Sequence, residues 1–212
     1  MFIRVITPIC GFIRFIESSL VARPKSFNQD HVLTQAMLCF WDRGYTATSM
    51  KHLEAATSLT PGSIYNSFGS KDGLFIAALD YYIKRVVTRR VEKYLLDGDP
   101  IKGIDAYFYD CFRAQGKEIQ GGCLLINTST ELGPHDEVVR EKVLQGMKVA
   151  QRGLLAAIDR AKDLGQIAKE TDSQAKAVHL GLVLNGMLVQ TKIARGDQWL
   201  DNAMANVRSL LH

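Results

Sequence analysis

The stretch TSMKHLEAATSLTPGSIYNSFGSK, from Thr48 to Lys71, decides the fold, because it spells two short helices joined by a tight turn. The first begins at Thr48, whose hydroxyl is suited to capping free backbone N–H groups, and it carries Met50, Leu53 and Ala56 on one side. Thr57, Ser58 and Leu59 make the turn. Thr60 then caps the second helix, and Pro61 takes its first position, where a missing N–H costs nothing. Ile64 and Phe68 turn inward from that helix. Gly62, Ser63, Tyr65, Asn66 and Ser67 are left outside, a small, polar and aromatic set with no long aliphatic chain to hinder close approach to a duplex. A pair of this size is a helix-turn-helix, whose second helix enters the major groove of DNA.

Outward from this pair the helical period continues. Val32, Leu33, Ala36, Met37, Phe40 and Trp41 predict a bracing helix from Asn28 to Arg43, ended by Gly44. Ser70 caps a fourth helix that reaches about Leu96, with Leu74, Phe75, Ala78, Leu79, Tyr82 and Val86 on its buried side. A fifth, aromatic-rich helix is expected over 101–119 and a short one from Cys123 to Glu131. A long helix follows the GPHD segment (Gly133 to Asp136) as far as Leu164. Ser173 to Arg195 and Gln198 to Leu211 close the chain. No period-2 strand interrupts these patterns, so the expected class is all-α: a three-helix DNA-binding domain at 21–72, then a helical ligand-binding and dimerisation domain at 73–212.

Charge supports the division. Residues 21–94 hold ten Lys and Arg against six Asp and Glu, whereas 95–212 hold fourteen against fifteen, so the net charge of +4 sits with the helix pair. Cys10, Cys39, Cys111 and Cys123 show neither CxxC pairing nor a histidine at metal-ligand spacing, which predicts reduced thiols, no metal and a cytoplasmic location. Residues 1–20 fit neither domain and are left unassigned. Arg4, Arg14 and Glu17 break their apolar run short of the ~18–20 residues that span a bilayer, and the expectation is that translation starts at Val21 through an alternative start codon.

The run GYTATSMKHLEAATSLTPGSIYNSFGSKDGLF resembles the N-terminal domain of the TetR family of bacterial transcriptional regulators, over roughly residues 28–75. Tyr45, Thr48, Leu53, Gly62, Ser63, Ile64, Tyr65, Phe68 and Lys71 carry the resemblance. Ser58 departs from it: the family usually has Gly in this turn, so either a strained turn or a different turn geometry is expected. The resemblance implies that Ser63 and Asn66 approach base edges while Thr48, Lys51, Tyr65 and Lys71 hold phosphates, with Thr60, Gly62 and Ser67 completing the DNA-facing set. From spacing alone, Tyr65 packing on the first helix and Lys51 as a solvated charge remain open.

A single helix pair reads few base pairs, so a homodimer on a palindromic operator is expected, its half-sites ~34–36 Å apart. The apolar helices at 173–195 (Val178, Leu182, Val183, Leu184, Met187, Leu188 and Val189, with Gly181 and Gly186) and 198–211 (Trp199, Leu200, Met204, Val207 and Leu211) would form the seam. The resemblance also implies a cavity for a small-molecule effector. Tyr107, Cys111, Phe112, Cys123, Asn127 and His135 are the expected lining, although an aromatic stripe at this spacing is also what an ordinary core shows. Cys123 follows Gly121 and Gly122 at a helix start, where a thiol pKa is lowered, and some relatives with a similar element respond to electrophiles or oxidants. The expected function is a repressor released by a small-molecule or electrophilic effector, with an activator as the alternative. An enzyme fits poorly, since His31, His52, His135, His179 and His212 are isolated, neither cofactor loop nor nucleophile elbow is present, and GPHD is better explained as a stop and cap. A DNA-compacting protein would need more charge than +4.

Overall fold

A computed structural model describes residues 27–112, 122–193 and 197–211. Its helices start where a short polar side chain takes up a free N–H. Asn28 accepts from His31 N–H at the head of α1 (Gln29–Arg43), and Thr60 accepts from Ser63 N–H at the head of α3 (Pro61–Phe68), where Pro61 holds the first position. Between them, α2 (Met50–Thr57) is capped by Ser49 and not, as the sequence suggested, by Thr48: Ser49 Oγ accepts from His52 N–H, and His52 Nδ1 accepts from Ser49 N–H, both at 3.2 Å. Thr48 is 1% exposed and donates its hydroxyl to the Gly44 carbonyl at 2.5 Å. Two adjacent hydroxyl residues compete for the cap, and the one facing the protein interior loses it.

The turn after α2 settles how Ser58 replaces the expected glycine: it keeps the left-handed geometry, at φ 57° and ψ 21°. Within α2, Leu53 and Thr57 are buried while Met50 and Ala56 are only partly so. Ser70 caps α4 (Lys71–Tyr82), which runs without a break through a π-helical stretch (Ile83–Thr88) into α5 (Arg89–Tyr94). The apolar spacing predicted one long helix and did not reveal this register change.

Then follow α6 (Pro100–Phe112), α7 (Leu124–Glu131), α8 (Glu137–Asp163), α9 (Ser173–Gln190) and α10 (Asp197–Leu211). Asp136 caps α8 by accepting from Val139 N–H, and Asp172 caps α9 through Ala175 N–H. The parts of the expected helices at 113–119 and 194–195, and the extension at 1–20, lie outside the described residues.

Two clusters of buried side chains hold the helices together. One joins Phe40, Leu53, Ile64, Leu74 and Phe75 and reaches Leu124, Leu125, Val139 and Val143, so α4 packs with the helix pair and the tail of this core lies in α7 and α8. The other joins Val91, Ile104, Phe108, Leu154, Leu180, Met204 and Val207. Cys123, Met147 and Val149 touch both. The long α8 approaches α4–α5 closely enough that a methyl group on Gly153 would lie 2.6 Å from Val91 and one on Gly146 3.0 Å from Ile83.

The last two helices divide differently from the expectation. Met204, Val207 and Leu211 of α10 are buried against this chain's own core. On α9, Val178, Leu182 and Val189 remain 39%, 65% and 50% exposed.

Candidate nucleic-acid interface and internal cavity

The outward face of α3 is polar and open to solvent. Ile64 is buried and Phe68 partly so, which turns Gly62, Tyr65 and Asn66 to solvent, with Ser63 and Ser67 half-buried at the edges. Tyr65 is 50% exposed and therefore does not pack as an ordinary core residue on α1. Among the expected contacts, Lys51 and Thr60 are exposed, but the Thr60 hydroxyl is committed to capping Ser63 N–H and lies 3.0 Å from Ser63 Oγ. Thr48, buried and bonded to Gly44, does not present its hydroxyl to a phosphate; exposed Ser49 stands at the helix start in its place.

Lys71 begins α4 with its ammonium 4.1 Å from the centre of the Tyr45 ring, a cation–π contact that holds the charge beside α3. Tyr45 is fixed in turn: its ring packs on Phe40 and Phe75, and its hydroxyl donates to Asp72. Burial, then the Asp72 carboxylate, push that phenol up to about 12. Sequence reasoning placed Tyr45 in the motif without giving it this role, which depends on a contact 26 residues away.

Side chains of α1 and of α4 through α9 line a cavity of about 330 Å³, whose rim includes the exposed Leu144, Val178 and Leu182. Tyr107, Cys111, Phe112 and Cys123 are among the lining residues. Asn127 and His135 are not: Asn127 sits at the Gly122 turn, and His135 is exposed in the connection ahead of α8. Cys123 occupies the position before α7 but makes no capping bond with its side chain; its sulfur lies 3.3 Å from the Tyr82 hydroxyl. Burial pushes the Cys111 thiol up to about 12, with the neighbouring Arg90 charge working the other way without prevailing.

The lining also contains Trp41, Tyr82, Arg90, Gln151 and Asn185, which the sequence did not single out. For Arg90 a signal existed. It continues the spacing of Tyr82 and Val86 by one more step of four, a cation in an apolar register. No group of acidic, histidine or cysteine side chains suited to a metal occurs among the described residues, and none of their helices is long and apolar enough to cross a membrane.

Known proteins share this arrangement. The family model described as "Bacterial regulatory proteins, tetR family" matches residues 32–78, and the "Tetracyclin repressor-like, C-terminal domain" matches 102–207. The HTH-type transcriptional repressor ComR of Escherichia coli (strain K12) is 29% identical over 174 residues, covering 80% of this chain and 82% of ComR. The HTH-type transcriptional repressor DhaR of Mycobacterium sp. (strain GP1) is 25% identical over 84% of this chain and 89% of its own. Among solved structures, a cysteine mutant of the TetR family transcriptional regulator CifR, complexed with 26-base-pair double-strand operator DNA, superposes with a TM-score of 0.75. It is 29% identical and covers 89% of this chain and 98% of that one.

Proposed function

This chain belongs to the TetR family of DNA-binding transcriptional repressors, which are not enzymes, and from that premise we propose that it grips a palindromic operator as a homodimer and releases it when a small molecule fills the cavity. The observation that carries the reading is the division of exposed surface. A polar face on α3 is turned to solvent at one end of the molecule, and an apolar stripe of Val178, Leu182 and Val189 is turned to solvent on α9. The first suits a major groove; the second is what a second copy covers in a two-fold interface. Because Met204, Val207 and Leu211 already serve the internal core, α10 would contribute its outer, more polar side to that seam while α9 supplies the apolar part.

Within each protomer the DNA contacts would divide by chemistry. Asn66 and Ser63 offer short donors and acceptors to base edges, with Gly62 and Ser67 allowing close approach. Lys51, Tyr65 and Lys71 offer phosphate contacts that set position and affinity. Repression in the cytoplasm then depends on the spacing of two α3 helices, and α4–α5 is the lever that changes it: α4 starts immediately after α3, and Arg90 of α5 lines the cavity. A non-covalent effector fits better than an electrophile, since Cys111 is held protonated and Cys123 is engaged with Tyr82.

Selection of bound duplexes from a random pool, combined with sedimentation of the free protein, tests the reading. It requires a palindrome with half-sites about one helical turn apart and a dimer that Val189→Glu converts to monomer. A monomeric wild-type protein, or equal affinity for all duplexes, contradicts it.

A further inference from the structure

The cavity carries an uneven charge pattern. Its lining includes two cationic side chains, Arg90 and Lys148, and no carboxylate. Lys148 is exposed, whereas the Arg90 side chain is only 10% exposed. Arg90 Nε–H donates to Asp110 Oδ2 at 2.7 Å, and the Tyr94 hydroxyl donates to the other Asp110 oxygen at 3.0 Å. Asp110 is not part of the lining to which Arg90 belongs. An arginine keeps its charge even when buried, and its planar group carries N–H donors beyond the one given to Asp110.

The rest of the lining is dominated by aromatic and aliphatic side chains, including Tyr82, Tyr107 and Phe112. A volume of about 330 Å³ admits only a compact molecule.

Resting on the reading of this cavity as the effector site, we propose that it selects compact aromatic monocarboxylates, the carboxylate meeting the Arg90 guanidinium and the ring lying among the aromatic walls. An amine of the same shape would bring a third cation to a lining that already holds Arg90 and Lys148 and offers no carboxylate. An alcohol would offer the remaining guanidinium N–H groups only a neutral acceptor, a weaker hydrogen bond than a carboxylate makes. The pocket therefore distinguishes head groups by charge and skeletons by size.

Calorimetric titration of the full chain with 3-phenylpropionate, 3-phenylpropan-1-ol and 3-phenylpropylamine tests this, since the three share a skeleton and differ in the head. The acid should bind at least about tenfold tighter than the alcohol, and the amine should not bind. Arg90→Gln should abolish the preference of acid over alcohol, and Arg90→Lys should retain part of it. A thermal melt of each arginine variant separates a lost preference from misfolding. Equal or tighter binding of alcohol or amine, no binding by the acid, or an acid preference unchanged in Arg90→Gln overturns the assignment. Acid binding that leaves operator affinity unchanged would sustain the ligand class while overturning the effector reading on which it rests.

Discussion

Glu131, the last residue of α7, accepts a hydrogen bond from the backbone N–H of Thr46 at 2.6 Å, and its other oxygen accepts from Tyr45 N–H at 3.0 Å. The carboxylate thereby clasps the loop between α1 and α2, and it sits so close to Gly44 that a methyl group there would lie 2.9 Å from it. Burial opposes its charge, but these donors prevail and hold the carboxyl below its ordinary range. Since α7 begins beside the cavity at Cys123 and includes the lining residues Leu125 and Ile126, one short helix connects the cavity wall to the loop that precedes the DNA-binding pair.

Replacing Glu131 with Ala should therefore lower stability by roughly 1–2 kcal/mol, the range for hydrogen bonds to a partly exposed charged group, and should weaken operator binding by releasing the loop. Because the folded pKa is depressed, this contribution is present above the unfolded value near 4.5 and is lost as pH falls through the folded pKa. Urea titrations of wild type and variant at pH 7 and pH 4 measure both effects. Identical urea midpoints for the two proteins at pH 7 would remove the clasp from the argument.

On DNA, Asn66→Ala should cost about 1–3 kcal/mol at the bases it reads and relax preference there. Lys71→Ala should weaken all duplexes alike and reduce the salt slope by about 1, and Tyr65→Ala should also lower affinity without changing preference. Binding isotherms on operator and scrambled duplexes over a salt series separate the two classes. Equal loss of preference in all three variants would contradict the division of roles.

The helix pair was legible because its signals are local. A proline at a first helical position, hydroxyls at the caps, and Leu53, Ile64 and Phe68 at helical spacing each act within a turn or two of chain. The cap of α2 slipped by one residue because Thr48 and Ser49 are both competent, and only the Gly44 carbonyl decides between them. The π-helical stretch was invisible for a related reason: Ile83, Val86 and Val87 keep an apolar pattern that an α-helix also satisfies, and the extra residue per turn is absorbed by packing against α8. Cavity membership depended on tertiary placement. His135 was expected in the lining yet faces solvent, while Arg90 was not expected there and belongs to it.

Ser58 offers a test of local strain. A non-glycine residue in the left-handed region costs roughly 1–2 kcal/mol, and glycine returns part of that gain through its greater unfolded-state freedom, about 0.5–1 kcal/mol. Ser58→Gly should then stabilise the fold by about 0.5–1 kcal/mol on that balance without altering operator preference, because Ser58 lies in the turn outside α3. A lower melting temperature in the glycine variant would show that the Ser58 side chain contributes more than its backbone costs.

Alkaline conditions should destabilise the protein from the inside. The Cys111 thiol, ordinarily near 9.0, is pushed up to about 12 by burial, and the Tyr45 phenol, ordinarily near 10.0, rises to about 12 through burial and Asp72. Burial raises Tyr82 and Tyr107 in the same direction. All four groups are neutral when protonated, and the folded chain holds those protons more tightly than the unfolded chain. Above the unfolded values the unfolded state binds fewer protons, so stability falls as pH rises. The stabilising contribution is complete below about pH 9 and is lost progressively up to about 12. Urea midpoints should decline across that window, and Cys111→Val should shrink the first part of the decline, since the thiol has the lowest unfolded value of the four. The native Cys111 should also resist alkylation by iodoacetamide at neutral pH and react once the chain is unfolded. A midpoint that holds steady from pH 8 to pH 11, or rapid alkylation of native Cys111, would place these groups in contact with water instead of the core.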